Sequence, residues 1–357
     1  MKVYNIAVLE GDGIGPEVMK EALKLLDVIS KKNNIKFEYI KGLVGAAAID
    51  KEGHPFPNST KNICNDADAI LFGAIGDPKY DNNPKAKIRP EDGLLEMRKF
   101  LGLYANVRPV ITYDSLLDSS PLKKEIVSGT NFIVYRELTG GIYFGEKSIS
   151  EDRKSAYDTC SYNINEIERI SHLAFKEARK RKKELTLVDK ANVLETSRLW
   201  REVVQKISKD YPDINVSYLF VDNAAMKIIT NPKDFDVILT ENMFGDIITD
   251  EASVITGSLG MLPSASIGDK ISLFEPIHGS YPQAVGKGIA NPMAMILSLA
   301  MMLDLSFNLK KESEIILKSV EDALNENFVT IDIDSKNYHS TSEVGDWLSK
   351  RVSEYLG

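Results

Sequence analysis

Cysteine is scarce in this 357-residue chain: Cys64 and Cys160 are the only two, too few for a disulfide framework. An excess of positive charge is also missing. Lys and Arg number 44 against 52 Asp and Glu, a net charge of −8. That balance argues against nucleic acid or an anionic membrane surface as the main partner, while local arginine clusters can still bind anionic substrates. No apolar run is long enough to span a bilayer, which takes about 20 residues. The most apolar segment, Pro292 to Phe307, has Met and Leu on every face, as expected of a helix buried on all sides, in the core or at a subunit interface. The opening Met1-Lys-Val-Tyr-Asn-Ile6 is strand-like rather than a signal peptide, so a cytoplasmic location is the default expectation. No internal repeat, low-complexity tract or linker divides the chain. What remains, 43% hydrophobic and 27% charged, is the composition of an ordinary soluble globular protein. At 357 residues the chain exceeds what one core usually sustains, so two domains are expected.

The alternation of the sequence is that of an α/β protein. Val3 to Leu9 is a short apolar strand, Glu10-Gly-Asp-Gly-Ile-Gly15 a loop, and Pro16 sits where a helix prefers its first residue. Val18, Ala22, Leu25, Leu26 and Ile29 mark that helix's inward face. Strand, glycine turn and helix suggest a dinucleotide fingerprint, yet the position that would need a third glycine is Pro16. A Rossmann fingerprint is therefore rejected. Ala69-Ile-Leu-Phe72 is a second strand, running into Gly73–Pro78 and a long polar loop to Pro90, of a length that is often functional or mobile. In the helix that follows, roughly Gly93 to Leu103, Glu91, Leu94, Leu95 and Arg98 share a side. A carboxylate, two branched alkyl chains and a guanidinium on one surface suit a ligand with both an alkyl group and a carboxylate. The plainer reading is an amphipathic helix with charged flanks.

Arg108, in Asn-Val-Arg-Pro, and Arg136, in Val-Tyr-Arg-Glu-Leu-Thr-Gly-Gly-Ile-Tyr-Phe-Gly, end or follow further apolar stretches. Gly140-Gly141 implies a tight turn that aims Tyr143. Arginine grips a carboxylate as a planar fork, so Arg98, Arg108 and Arg136 suit a dicarboxylate provided that they converge. Residues 165–183 form a helical pattern with Ile167, Ile170, Ala174 and Ala178 inward. The basic run Arg179-Lys-Arg-Lys-Lys183 at its end complements the helix dipole and faces water. One strand then ends in Asp189-Lys190, and another, Val216 to Val221, ends in Asp222-Asn223. Both endings fall where ligands of α/β sheets gather.

In Glu241-Asn-Met-Phe-Gly-Asp-Ile-Ile-Thr-Asp-Glu251, Phe235 to Leu239 is the preceding strand, Gly245 breaks it, and a helix opens at Asp246. Asp246 and Asp250, four apart, project from one helical face a turn apart. Like charges so placed repel unless a hard divalent cation lies between them, and Mg2+ is usually held by one or two carboxylates plus substrate oxygens. The alternative is that acidic residues simply favour a helix N-terminus. Finally, the loop from Phe274 to Pro292 alternates glycine and proline with groups able to hydrogen-bond ribose, phosphate or an adenine edge, though a generic surface loop has the same look.

Together these stretches resemble the β-decarboxylating dehydrogenases nearly end to end. The carriers are Gly-Asp-Gly-Ile-Gly-Pro-Glu near the N-terminus, the Leu94-Leu95-Arg98 helix, Arg-Glu-Leu-Thr-Gly-Gly-Ile-Tyr-Phe-Gly, Asp-Lys-Ala-Asn-Val, Gly-Asp-Ile-Ile-Thr-Asp-Glu-Ala, and His-Gly-Ser with Ile-Ala-Asn-Pro downstream. Six ordered motifs are far more specific than any one. The resemblance implies an α/β, two-domain isocitrate/isopropylmalate dehydrogenase-like fold with a mixed sheet, not a Rossmann fold. Residues 1–103 and 257–357 would form a nucleotide-binding domain, and 104–256 a second domain with the metal and the dimer interface. It also implies a homodimer with shared active sites, in which Lys190 and Asp222 reach the neighbouring subunit's site. Carried over by position, Asp222, Asp246 and Asp250 hold Mg2+ or Mn2+, and Arg98, Arg108 and Arg136 hold substrate carboxylates. Glu91, Leu94, Leu95 and Asp222 complete the substrate set. Tyr143 and Lys190 become the acid–base pair, and His278, Gly279, Ser280, Gln283, Ala284 and Asn291 hold NAD.

The reaction that the resemblance implies is NAD-dependent oxidative decarboxylation of 3-isopropylmalate to 4-methyl-2-oxopentanoate, in leucine biosynthesis. Oxidising the C2 hydroxyl requires loss of its proton while hydride passes to NAD, and a lysine among cations can take that proton. A Lewis acid then polarises the ketone and stabilises the charge left by decarboxylation, and Tyr143 protonates C3. Gln283 departs from the family pattern, where many NAD-using members carry Asp, and the departure bears on NAD against NADP rather than on the reaction. Rival substrates are isocitrate, homoisocitrate, tartrate and malate. Leu94 and Leu95 favour an isopropyl group, because a γ-carboxylate would want hydroxyl or cationic partners there. A rival of another class is a non-catalytic regulatory subunit, against which stands the presence of Tyr143, Lys190 and all three aspartates.

Overall fold

Parallel strands buried on both faces need near-continuous apolar runs, and the segments Ala69–Ala74 and Val237–Thr240 are buried at every residue. The computed structural model describes residues 2–81 and 88–357. Along the chain the strands are β1 (Lys2–Gly11), β2 (Ile35–Lys41), β3 (Ala69–Ala74), β4 (Leu103–Ile111), β5 (Asn131–Glu137), β6 (Lys147–Ile149), β7 (Ala156–Asp158), β8 (Glu184–Asp189), β9 (Asn215–Phe220), β10 (Val237–Thr240), β11 (Pro263–Gly268) and β12 (Ser272–Pro276). They belong to two units, Met1–Leu103 with Ser258–Gly357, and Tyr104–Gly257.

The first unit orders its strands β2-β1-β3-β12-β11, parallel except for β11, which runs antiparallel to β12. On the Gly15–Lys32 helix, Val18, Ala22, Leu25, Leu26 and Ile29 are all fully buried, as their spacing requires. Each such aliphatic side chain contributes about 1.5–3 kcal/mol. The helix Met293–Leu305 buries every residue from Met293 to Ala300, and again Met302 and Leu303. It packs against β11 and β12 in this unit's core. Among the described residues no helix is long and apolar enough to cross a membrane.

The glycine turn between β1 and its helix does not leave a phosphate cradle of the Rossmann kind. Gly11 and Gly13 lie at φ +69° and +59°, and a Cβ on Gly13 would fall 2.0 Å from the Ser280 carbonyl oxygen. The Ile14 N–H donates to that same oxygen at 2.8 Å. Asp12 sits buried in the turn and accepts from the Ala46, Ala47 and Gly76 N–H groups at 2.9, 2.9 and 3.0 Å. Sequence reasoning expected a long loop from Gly73 to Pro90. A short helix, Pro78–Asp81, interrupts it, and 82–87 lie outside the described residues.

The second unit orders its strands β4-β5-β10-β8-β9, with β4 antiparallel to β5 and the other pairs parallel. The carboxyl ends of β5, β10, β8 and β9 therefore share one edge. Its core gathers Phe132, Val134, Val188, Ile238 and Ile248. In the Ile164–Lys180 helix, Ile167, Ile170, Ala174 and Ala178 are buried as expected. The basic run beyond does more than face water. Arg181 Nε donates to the buried Asp236 at 2.8 Å and its Nη2 to the Asn131 carbonyl at 2.9 Å, which ties the helix end to the amino ends of β5 and β10.

Candidate active site

Four strand ends deliver charged groups to the shared edge of the second unit. Arg136 is the penultimate residue of β5 and is 2% exposed. Opposite it in the β4–β5 ladder stands Asn106, whose Oδ1 accepts from Arg108 Nε at 2.6 Å. Two residues apart on one strand, Asn106 and Arg108 point to the same face, so β4 presents its guanidinium beside that of β5.

The helix expected to open at Asp246 begins four residues earlier. It spans Asn242–Ser253, capped by Glu241, whose carboxylate accepts from the Phe244 N–H at 2.9 Å. Gly245 is thus inside the helix rather than before it. It is glycine because a Cβ there would lie 2.5 Å from Arg136 Cγ, so the bare backbone lets the arginine lie across the helix. The earlier start bears on the plainer of the two readings of the aspartates. No acidic residue occupies the first turn, so Asp246 and Asp250 lie beyond the reach of the helix-terminal charge that would explain them as mere N-terminal acids.

Asp246 is instead a meeting point. Its Oδ1 pairs with Arg136 Nη1 and lies 3.9 Å from Arg108 Nη2, while its Oδ2 accepts from the Tyr143 hydroxyl at 2.9 Å. Arg108 Nη1 donates to Asp250 Oδ1 at 3.1 Å and to Thr249 Oγ1 at 2.7 Å. Two guanidinia and a phenol thus oppose the carboxylate pair. Burial, and then the neighbouring Asp246, push the Tyr143 phenol up to about 12, so it keeps its proton throughout the neutral range.

Lys190 and Asp222 form a separate pair. Lys190 follows β8, and Asp222 lies in the first turn of the Val221–Thr230 helix rather than at a strand end, because the chain turns helical directly after Phe220. Their side chains are ion-paired, and Lys190 holds the Asp222 carboxyl below the usual range. Among the described residues no three Asp, Glu, His or Cys side chains come together as a metal site; Asp222 stands apart from Asp246 and Asp250. Sequence reasoning passed over Asp189, buried and gripped by Arg201 through bonds of 2.8 and 2.9 Å, which fixes the strand end that carries Lys190.

In the first unit the Glu91 helix starts at Pro90, not Gly93, and ends at Leu101 before Gly102 at φ +64°. Pro90 suits its first turn, and the Asp92 carboxylate accepts from the Arg89 N–H at 2.8 Å. Pro90, Gly93 and Met97 are the buried face. Leu94 packs partly against the core, Leu95 and Arg98 are half-buried, and Glu91 is exposed. Arg98 lies 3.5 Å from Glu275, and its Nε is buried without a partner.

The Phe274–Pro292 segment of the same unit is held at both ends. The Ser280 carbonyl anchors it to the glycine turn, and the Asn291 amide is engaged within the protein, accepting from the Met293 N–H at 2.9 Å and donating to Asp332 at 3.0 Å. Asp332, which sequence reasoning did not flag, also accepts from Ser258 Oγ at 2.6 Å. Gly279, just before the first anchor, and Gln283, after it, are exposed, and Ala284 is buried. Tyr281 adopts φ +40°, unusual for a bulky residue and of the kind found in ligand clamps. His278 Nε2 is buried with no partner, and burial holds the imidazole below its usual value.

The donor set suits a hard divalent cation: two carboxylates, both reaching solvent, on one helix face. The unsatisfied atoms of Arg98 and His278 suit an anionic substrate group and a cofactor's polar edge. A carboxylate pair, a neutral phenol, paired arginines and a lysine at the strand ends of an α/β unit are groups that suit the oxidation of a hydroxy acid. The sequence model of the family "Isocitrate/isopropylmalate dehydrogenase" matches residues 5–348, and this chain belongs to that family. Among its relatives is the 3-isopropylmalate dehydrogenase of Aquifex aeolicus, 55% identical over 339 residues, 94% of this chain and 93% of that one. The protein of the same name from Bacteroides fragilis is 53% identical over 347 residues, 97% of this chain and 98% of that one. Among solved structures, isocitrate dehydrogenase from Methylococcus capsulatus superposes with a TM-score of 0.88 at 31% identity, covering 98% of this chain and 99% of its own. A β-decarboxylating dehydrogenase from Thermococcus kodakarensis gives 0.81 at 33% identity, covering 99% and 97%. The α/β, isocitrate/isopropylmalate dehydrogenase-like fold with mixed strand directions is thereby established.

Proposed function

We propose that this protein oxidises and decarboxylates 3-isopropylmalate to 4-methyl-2-oxopentanoate, reducing NAD, in leucine biosynthesis. The observation that carries the reading is the convergence of Arg108, Arg136 and Tyr143 on Asp246 and Asp250. Arg108 and Arg136 grip substrate carboxylates as planar forks, with Arg98 as a third cation. Lys190 Nζ accepts the C2 hydroxyl proton, and Tyr143 Oη, still protonated at neutral pH, returns one to C3 once carbon dioxide has left. Mg2+ or Mn2+ held by Asp246, Asp250 and Asp222 would supply Lewis-acid polarisation of the C2 oxygen, and NAD on the His278–Asn291 segment would accept the hydride. Leu94 and Leu95 meet the isopropyl group, Leu94 while also packing partly against the core.

The reading includes a homodimer in which Lys190 and Asp222 serve the neighbouring subunit's site. In support, Met226 and Ile247 are 61 and 58% exposed on the two helices that carry Asp222 and the Asp246–Asp250 pair, and Val254, directly after the second helix, is 49% exposed, apolar surface of the sort that partners cover. The test is reduced-cofactor formation by the purified protein with 3-isopropylmalate, isocitrate, tartrate and malate, with and without Mg2+. Metal-dependent turnover preferring 3-isopropylmalate is expected. Preference for a substrate lacking the alkyl group, or no turnover of any of the four, would overturn the reading.

A further inference from the structure

Arg136, Tyr143 and Asp246 come from a strand, from the turn after it and from a helix, and something must hold the three in register. We propose that Asn242 is the positioning residue that sets both the Arg136 guanidinium and the turn carrying Tyr143. This rests on the roles given to Arg136 and Tyr143 above.

Asn242 is the first residue of its helix and is 1% exposed. Its Oδ1 accepts from Arg136 Nε at 3.1 Å and from Nη2 at 2.8 Å. Its Nδ2 donates to the Gly140 carbonyl at 3.2 Å. Since a guanidinium only donates and a carbonyl only accepts, the amide orientation is forced. One neutral side chain therefore braces an edge of Arg136, whose Nη1 meets Asp246, and the turn three residues before Tyr143, whose hydroxyl meets the other oxygen of Asp246.

The remaining contacts show that the turn is seated rather than loose. Tyr162 packs under it so closely that a Cβ on Gly140 would fall 2.7 Å from the Tyr162 ring and one on Gly141 2.4 Å from its hydroxyl. That hydroxyl accepts from the Asn242 N–H at 3.0 Å and donates to Glu241 at 3.2 Å. From the strand side, Glu137 accepts from the Gly140 N–H at 2.7 Å.

No other side chain of this size meets both demands. Aspartate would accept from Arg136 but set a carboxylate oxygen against the Gly140 carbonyl, and it would add charge beside Asp246. Alanine would remove the oxygen that accepts from two guanidinium N–H groups and the N–H that donates to a carbonyl, all in a buried place. The two substitutions therefore separate the two roles.

The test measures kcat and KM for 3-isopropylmalate with NAD and Mg2+, alongside thermal melting, for Asn242→Ala, Asn242→Asp, Tyr143→Phe and the double variants. A misplacement of about 1 Å is worth about 100-fold in rate, so Asn242→Ala should lower kcat by that order and raise KM. Asn242→Asp, which keeps the Arg136 contact, should lower kcat with KM near that of the unsubstituted enzyme. In the Tyr143→Phe background either substitution should cost kcat far less, since the group it positions has gone. If Asn242→Ala does not fold, the Asp variant decides alone. Equal fold-losses in both backgrounds, or unchanged kcat in Asn242→Asp, would overturn the proposal while sparing the proposed function. Normal turnover by Tyr143→Phe would identify the other failure, removing the proton-donor assignment and this proposal with it.

Discussion

Around Asp246 the charged groups of the site are paired with one another, whereas in the other unit Arg98 Nε and His278 Nε2 are buried with nothing to bond. The first arrangement is stable as it stands and must exchange partners when a ligand arrives. The second gains bonds outright, because a buried donor or acceptor without a partner is already a cost. On the proposed function the Tyr104–Gly257 unit carries preassembled chemistry, and the other carries recognition. Substitutions in the two should fail differently.

The largest effect is expected from Asp246→Asn, which removes the charge of a proposed metal ligand and leaves one acceptor oxygen where Arg136 and Tyr143 each have their own. Turnover should vanish while circular dichroism shows a folded protein. The Tyr143 phenol should also titrate below its value of about 12, because one cause of the rise has gone while burial remains. Tyrosinate absorbance titration, with Tyr143→Phe as the blank, reads this shift. An unchanged titration would detach Tyr143 from Asp246.

Arg98→Ala should act on binding instead, losing about 1.5–3 kcal/mol in kcat/KM, the worth of a hydrogen bond to a charged group. Mixed with Lys190→Ala, and with subunit exchange verified, it should regain activity, since one site of each mixed dimer is wholly native. Absence of recovery would place both residues in a single subunit's site.

A smaller and more discriminating pair is Leu95→Ser and Leu94→Ser. Leu95→Ser should cost about 1–3 kcal/mol in preference for 3-isopropylmalate over malate. Leu94, packed partly on the core, should cost stability of about 1–2 kcal/mol and less selectivity. Equal selectivity losses would mean that both face the ligand equally.

Gln283→Asp should have the mildest effect. An exposed Gln283 can bond a ribose hydroxyl but does not repel a 2′-phosphate, so adding charge should widen an existing preference for NAD over NADP. Cofactor kcat/KM ratios for both proteins measure it, and no change would mean that the 2′ position is read elsewhere.

The sequence made legible whatever depends on local periodicity or local order. The inward faces at Val18–Ile29 and Ile167–Ala178 and the all-round apolar helix near Met293 follow from residue spacing, whereas the family was legible through the likeness of its ordered motifs. Two helix starts were misplaced, at Pro90 and Asn242, for one physical reason: the capping groups, Asp92 and Glu241, are ordinary acidic residues until a particular backbone N–H is within reach. The pairing of Arg136 with Asp246 spans 110 residues, and no periodicity encodes it. Asn242 escaped notice for the same cause. Its role consists of contacts with Arg136 and Gly140 that only the adjacent β5 and β10 bring about. The close approach of Gly245 to Arg136 left a signal, a glycine inside a helical pattern, but its reason lay on another strand.

The central claim is that Asp246 and Asp250 are metal ligands held in waiting by Arg108 and Arg136, which turn to the substrate when it binds. Such an exchange couples the two ligands reciprocally, with coupling typically about 5–150-fold. Mn2+ affinity, measured by electron paramagnetic resonance of the free ion with and without 3-isopropylmalate, tests it directly. The account predicts tighter Mn2+ binding when substrate is present and loss of that gain in Asp246→Asn. Mn2+ affinity indifferent both to substrate and to the Asp246→Asn substitution would contradict it.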